Sequence, residues 1–189
     1  MQRCDWCGDD PLYMSYHDNE WGVPLRDEQL MFEFLVLEGA QAGLSWITIL
    51  RKRDGYRAVF DDFDVHKVAA YSDSQLDKKL LDARIVRNRL KVYGARKNAL
   101  ATLKLYEEGT TLLDYFWDFV GGKPIQNKWR SMSEVPASTP LSEKISKDMK
   151  KRGFTFVGPT IIYANMQATG MVNDHIVSCP RHRECAALA

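Results

Sequence analysis

The chain has 189 residues (21.7 kDa), of which 45% are hydrophobic, 27% charged and 11% aromatic, with a formal net charge of +1. That composition suits one ordinary globular unit with a sizeable core and excludes intrinsic disorder. No apolar run reaches the roughly 18 residues a membrane span needs. The opening MQRCDWCGDDP lacks the basic-then-apolar layout of a secretion signal, so a cytoplasmic location is expected. Four cysteines in a reducing compartment point to metal binding or plain burial, not to a disulfide framework.

The charge is unevenly spread. Residues 1–40 carry nine acids and two bases, a net of −7, and the rest of the chain carries +8. The positive charge concentrates in Arg84–Lys97 and in Lys144–Arg152. Such an asymmetry suits a polyanion partner, although solvated helix faces would give the same pattern.

Helical signals follow one another along the chain. Asp27 can cap a helix starting at Glu28 and running through Leu30–Leu37. Trp46–Arg53 reads as one helix stopped near Gly55, and Asp64 can cap Val65–Tyr71. Ser72 and Gln75 have capping-box spacing. A basic helix is expected from about Arg84 or Val86 to Tyr106, closed by Gly109. Thr111 precedes Leu112–Val120, and Lys123–Pro136 lacks a period and reads as loop. Thr139-Pro140 is a cap plus first-turn proline, with Leu141, Ile145 and Met149 on one face behind it. Gly153 stops that helix, and Pro159–Thr169 is the next. No sustained alternation of period two appears, so the expected class is all-α.

Residues 141–170 therefore read helix, GFTFVGPT, helix. A tight turn with Gly153 and Gly158 leaves backbone N–H groups free at the second helix's start, an anion site suited to one phosphate, with Lys151 beside it. That physics is the one by which a helical hairpin holds a DNA backbone without reading sequence. An ordinary helical connection would need the same glycines.

The termini carry the metal-ligand residues. His175 and Cys179 are four apart, a spacing expected to place both on one helical face. With Cys4 and His17 they make a Cys2His2 set that fits tetrahedral zinc, closed to water and hence structural. Such a site would clamp segments some 158 residues apart. Cys7, His182 and Cys185 compete for the same role, and spacing alone does not choose among the seven.

Trp6, Tyr13, Tyr16, Trp21 and Trp46 surround one carboxylate, Glu38, in the N-terminal segment. On pattern alone this is either an aromatic core with Glu38 near a helix end or a functional site around a desolvated carboxylate. The segments DPLYxxYHDxEWGVP, LEGxQAGLSWxTxL and KKRGFxFVGxTIxYxxMQAxGxVNDH strongly resemble the 3-methyladenine DNA glycosylase I family, over nearly the whole chain. The resemblance implies a helix-hairpin-helix glycosylase fold in a single unit, with the hairpin at 141–170 and the zinc-bound ends at 1–20 and 171–189. It implies a monofunctional enzyme, a monomer, that excises 3-methyladenine from double-stranded DNA by hydrolysis and releases the free base. It selects Cys4, His17, His175 and Cys179 as ligands of one structural zinc ion. It places the base against Glu38, the catalytic candidate, among Tyr13, Tyr16 and Trp46, with Trp6 and Trp21 as further walls. Most members of the wider superfamily carry Val-Asp-Thr-His after the hairpin, its Asp being the catalytic acid; Asn173 stands at that place here. Lys151, Gly153 and Gly158 are the expected DNA contacts, and Leu44 the expected plug for the gap left by a flipped nucleotide.

Overall fold

The structure, a computed structural model, describes residues 2–189 and is mostly helical, as the sequence implies. Helix α1 (Pro11–Asn19) is an addition to the expected set. Its start uses the cap-plus-proline signal read at 139–140: Asp10 accepts hydrogen bonds from the Leu12 and Tyr13 amides, and Pro11 fills the first turn. Helix α2 (Glu28–Gln41) begins where Asp27 accepts from the Leu30 amide. It is the central element: every residue from Met31 to Ala40 is buried, and it packs against α3 (Trp46–Leu50), α7 (Arg89–Glu107), α8 (Leu112–Asp118) and α10 (Pro159–Ala168). A helix apolar on all sides belongs in a core.

The segment expected as one helix, Trp46–Arg53, is two, α3 and α4 (Arg53–Val59). Gly55 does not stop it; Gly55 lies inside α4, where a Cβ would meet the Arg84 carbonyl oxygen at 2.6 Å. Close approach of a neighbouring chain segment, not termination, is what this glycine serves. Helices α5 (Val65–Ala69) and α6 (Asp73–Lys79) start at the expected Asp64 cap and Ser72–Gln75 capping box. The basic helix α7 starts at Arg89, later than expected, because the Asn88 side chain caps it by accepting from the Lys91 amide.

Helices α9 (Pro140–Lys151) and α10 pack on each other and are joined by a short loop. Gly153 ends α9 with φ +92°, a conformation side chains resist. Asn98 of α7 grips the loop at Thr155 from both sides, donating to its carbonyl at 3.1 Å and accepting from its amide at 2.8 Å. Phe156, at φ +55°, packs over Gly39 and Gly94, so the loop is seated one residue from Glu38.

Two short parallel segments pair: β1 (Ile125–Gln126), inside the region read as loop, and β2 (Val172–Asn173), after α10. They tie the chain before α9 to the chain after α10. The last helix, α11 (Pro180–Ala186), orders the terminal segment and buries Cys185. No helix among the described residues is long and apolar enough to cross a membrane.

Candidate active site

A cavity of about 200 Å³ opens between α1, α2, α3 and α10. Pockets for drug-sized ligands run to roughly 300–1,000 Å³, so this one suits a ligand well below drug size. Trp6, Tyr13, Tyr16, Trp21, Trp46 and Glu38 all line it, so the structure brings the six residues together. Gln41, Met132, Ala164 and Gln167 complete the wall. Gln41 belongs to the glycine-containing stretch that the sequence already sets beside the pocket; Met132, Ala164 and Gln167 carry no such sign, because nothing local marks a residue that reaches the cavity from a distant element.

The aromatic rings support one another. Trp6 meets Tyr13 and Trp21 edge-on, each at a centroid distance of 4.9 Å. Tyr16 lies 5.5 Å from Trp46, which is backed by Phe34 at 6.4 Å. Edge-on and offset contacts of this kind fix ring orientation without filling the space between the rings.

Glu38 is 3% exposed, and its Oε2 has no hydrogen-bond partner. Burial alone pushes its pKa up to about 8, since no cation faces it. Near neutral pH it is therefore mainly a neutral acid. Burial also raises the Tyr13 and Tyr16 phenols, which stay protonated.

Behind the aromatic wall lies the Cys/His cluster. Cys4, His17, His175 and Cys179 are all buried, and their ligand atoms lie within 4.8 Å of one another. Cys4 Sγ to His175 Nδ1 is 3.6 Å, Cys179 Sγ to His17 Nε2 is 3.7 Å and Cys179 Sγ to His175 Nδ1 is 3.8 Å. Tetrahedral zinc bonded to sulfur and imidazole nitrogen holds such atoms about 3.5 Å apart. The tautomers agree. His175 Nε2 meets the Trp21 carbonyl at 2.9 Å and must donate, which leaves the Nδ1 lone pair facing the cluster. His17 Nδ1 meets Asp18 at 2.8 Å, itself held by Arg3 at 2.7 Å, and its Nε2 faces the cluster. Burial lowers the pKa of His17, and of His175 to about 3, so both rings are neutral, the form a metal binds. Burial pushes the Cys4 thiol up to about 12, a cost that a bound dication would reverse.

One expectation fails here. His175 and Cys179 do not share a helical face; they lie in the turn between β2 and α11, and Cys179 is the N-cap of α11. Pro180 starts that helix, and β2 holds the chain extended just before His175. The turn still brings both side chains to one point. The competing residues point elsewhere: Cys7 Sγ donates to the Cys4 carbonyl, His182 Nε2 meets the Asn127 carbonyl at 2.7 Å, and Cys185 packs near Arg181.

Residues 6–182 match the family model described as methyladenine glycosylase. The chain belongs to the methyladenine glycosylase family. It is 50% identical to DNA-3-methyladenine glycosylase 1 of Escherichia coli (strain K12) over 179 residues, 95% of this chain and 96% of that one. It superposes on a crystal structure of a 3-methyladenine DNA glycosylase I with a TM-score of 0.93 at 49% identity, covering 95% of this chain and 98% of the other. A single-site variant of another 3-methyladenine DNA glycosylase I, solved in complex with 3-methyladenine, superposes with a TM-score of 0.92 at 33% identity, covering 95% and 97%.

Within this family member, Asn173 is turned away from the cavity. Its Nδ2 donates to Gln126 Oε1 and to the His182 carbonyl, both at 2.8 Å. Asp174 is fully buried, accepts four hydrogen bonds and is not among the residues that line the cavity. Among the described residues, Glu38 is the one acid lining the cavity.

The surface corrects part of the charge reading. Arg84, Arg89 and Arg96 are paired with Asp82, Asp77 and Asp73, and Lys91 donates to the Ala40 and Ala42 carbonyls. The Arg84–Lys97 stretch is thus largely spent on internal contacts. Lys150 and Lys151, by contrast, have no ion-pair partner among the described residues, and they flank the loop before α10. Gly158 caps α10 with no side chain over its free amides. Leu44 is 40% exposed, in the turn between α2 and α3 beside the cavity.

Proposed function

We propose that this protein is a monofunctional glycosylase that hydrolyses the N-glycosidic bond of 3-methyladenine in alkylated double-stranded DNA, the first step of base excision repair. The observation that carries the reading is the unpartnered Glu38 carboxyl inside a cage of five aromatic rings, in a chain of the methyladenine glycosylase family.

Methylation at N3 leaves the attached adenine positively charged. That base is already a good leaving group and needs no proton donor. The cation is drawn to the faces of Trp46 and the tyrosines. Its arrival reverses the electrostatics at Glu38, because an opposite charge nearby favours the ionised form. Glu38 gives its proton to solvent and accepts a charge-assisted hydrogen bond from the exocyclic amino group. When the bond from C1′ to the base breaks, its electron pair goes to the base, which becomes neutral. Positive charge moves to the sugar, and water adds at C1′ and loses a proton. Unmodified adenine would have to leave as an anion and brings no charge to the cage, so it gains little. This division of labour explains how Asn173 can stand where relatives in the superfamily use Asp.

The hairpin at 141–170 is read as a helix-hairpin-helix anchor for the DNA backbone, with the amides after Gly158 and Lys151 on one phosphate and Gly153 shaping the turn. Leu44 is read as the plug beside the cavity. Cys4, His17, His175 and Cys179 are read as the ligands of one structural zinc ion; four protein ligands leave it no open site, so its contribution is to hold α1 and the C-terminal turn together behind the aromatic wall. The convergent lone pairs and the spacing of the four atoms support that reading.

The test is incubation of methylated duplex DNA with the protein, followed by chromatography of released bases, with metal content measured on the same sample. Free 3-methyladenine with an uncleaved backbone and about one zinc per chain is expected. No released base overturns the activity; a folded, metal-free active protein overturns the zinc.

A further inference from the structure

Gln167 lies on α10, one turn after Ala164, and both line the cavity that holds Glu38. Its side-chain amide is not free to choose its orientation. Nε2 donates to Asp174 Oδ2 at 2.8 Å. Asp174 is fully buried, and the same oxygen accepts from the Tyr163 hydroxyl at 2.5 Å. Its other oxygen accepts from Asn127 Nδ2 at 2.6 Å and from the indole N–H of Trp129 at 2.8 Å. An indole N–H can only donate, and four donors converging on one carboxyl group call for an acceptor at every contact. The network therefore commits the NH2 end of the Gln167 amide to Asp174. The planar amide then turns Oε1 away from Asp174, and no donor among the described residues meets it.

We propose that Gln167 Oε1 is a second acceptor for the bound base, locked in orientation by Asp174, and that together with Glu38 it selects purines bearing an amino group at C6 over those bearing an oxygen. The inference rests on the reading of the cavity as a base pocket and deepens it. An exocyclic amino group has two N–H bonds, one for each acceptor. A 6-oxo purine would instead set its oxygen lone pairs against both acceptors, and a site built to receive a donor rejects a ligand lacking one. Asp174 is then a positioning residue, acting through the amide it holds. This gives a use to a buried carboxyl group that touches neither the cavity nor the cluster at His175.

The test is a tryptophan-fluorescence titration of the whole protein with free 3-methyladenine and with free 3-methylguanine. The wild-type protein is expected to prefer 3-methyladenine. Gln167→Met keeps the length and removes both polar atoms. It is expected to bind 3-methyladenine about tenfold more weakly while 3-methylguanine binding holds, so that the preference shrinks by the same factor. Asp174→Asn, which frees the amide to turn, should shrink the preference likewise; if that variant does not fold, Gln167→Met decides alone, with its fold checked by circular dichroism. An unchanged preference in a folded Gln167→Met protein overturns the inference, even if excision slows. Failure of the wild type to bind 3-methyladenine would instead bring down the base-pocket reading on which the inference stands.

Discussion

Glu33 and Glu38 lie five residues apart on the same helix, 2% and 3% exposed, and they are opposites. Glu33 accepts from Arg53 at 2.5 Å and from Arg57 at 2.9 Å, and Arg53 reaches on to Glu20. Glu38 faces aromatic rings and has an oxygen with no partner. The first is a charge buried with its counter-ions and serves the fold. The second is left incomplete, which is the basis for proposing it as the acceptor for a cationic base. Burial of a carboxyl group therefore says little about its role; the presence or absence of a partner says a great deal.

Three measurements probe that contrast. The largest effect is expected at the satisfied acid. Glu33→Gln takes one of two counter-charges from the buried Arg53, leaving only Glu20, and should lower the unfolding free energy by roughly 3 kcal/mol in a denaturant melt. A loss under about 1 kcal/mol would mean that the pair is solvated and that the contrast with Glu38 is false. Next comes Glu38→Gln. Titration with free 3-methyladenine should show a loss of about 1.5–3 kcal/mol, the worth of a hydrogen bond to a charged group, while the melt shows no loss of stability at pH 8. A variant that binds as well as wild type removes Glu38 from the recognition step.

The effect smallest per step of the measurement is a slope, read per pH unit. Glu38 keeps its proton up to about 8 in the folded protein, against an ordinary value of 4.5. Between those limits the unfolded chain has lost the proton and the folded one holds it. Stability from this group is therefore present at low pH and lost as pH rises, by at most about 1.4 kcal/mol per unit. Comparing wild type with Glu38→Gln across that window isolates the slope, and parallel curves would show that Glu38 is ionised in the free protein.

Much of this was legible before any coordinates. The helix starts at Asp27, Asp64, Ser72, Thr111 and Thr139 carry their caps in the local sequence, and each cap forms its bond. Cap signals are readable because the side chain and the amide it bonds lie within three residues. The helix at Pro11–Asn19 carries the same signal in Asp10-Pro11, set among aromatic residues whose spacing by itself does not mark a helix. Gly55 misled because a glycine read in one dimension looks like a stop, whereas its reason lies on the chain near Arg84. The basic stretch at Arg84–Lys97 misled for a related cause: its counter-charges are at Asp73, Asp77 and Asp82, and a count of charge cannot show which pairs close.

The sequence by itself determined the helical class, the residues that gather around Glu38 and the four that meet at the Cys/His cluster, since residue type and long matching motifs carry that much. Only the tertiary structure decided how those residues work. It set Glu38 in a place with no cation and so made it a neutral acid awaiting one. It turned Asn173 and Asp174 away from the cavity and brought Gln167 to its edge. Desolvation and hydrogen-bond direction depend on what surrounds a group in space, and those surroundings come from segments far apart in the chain.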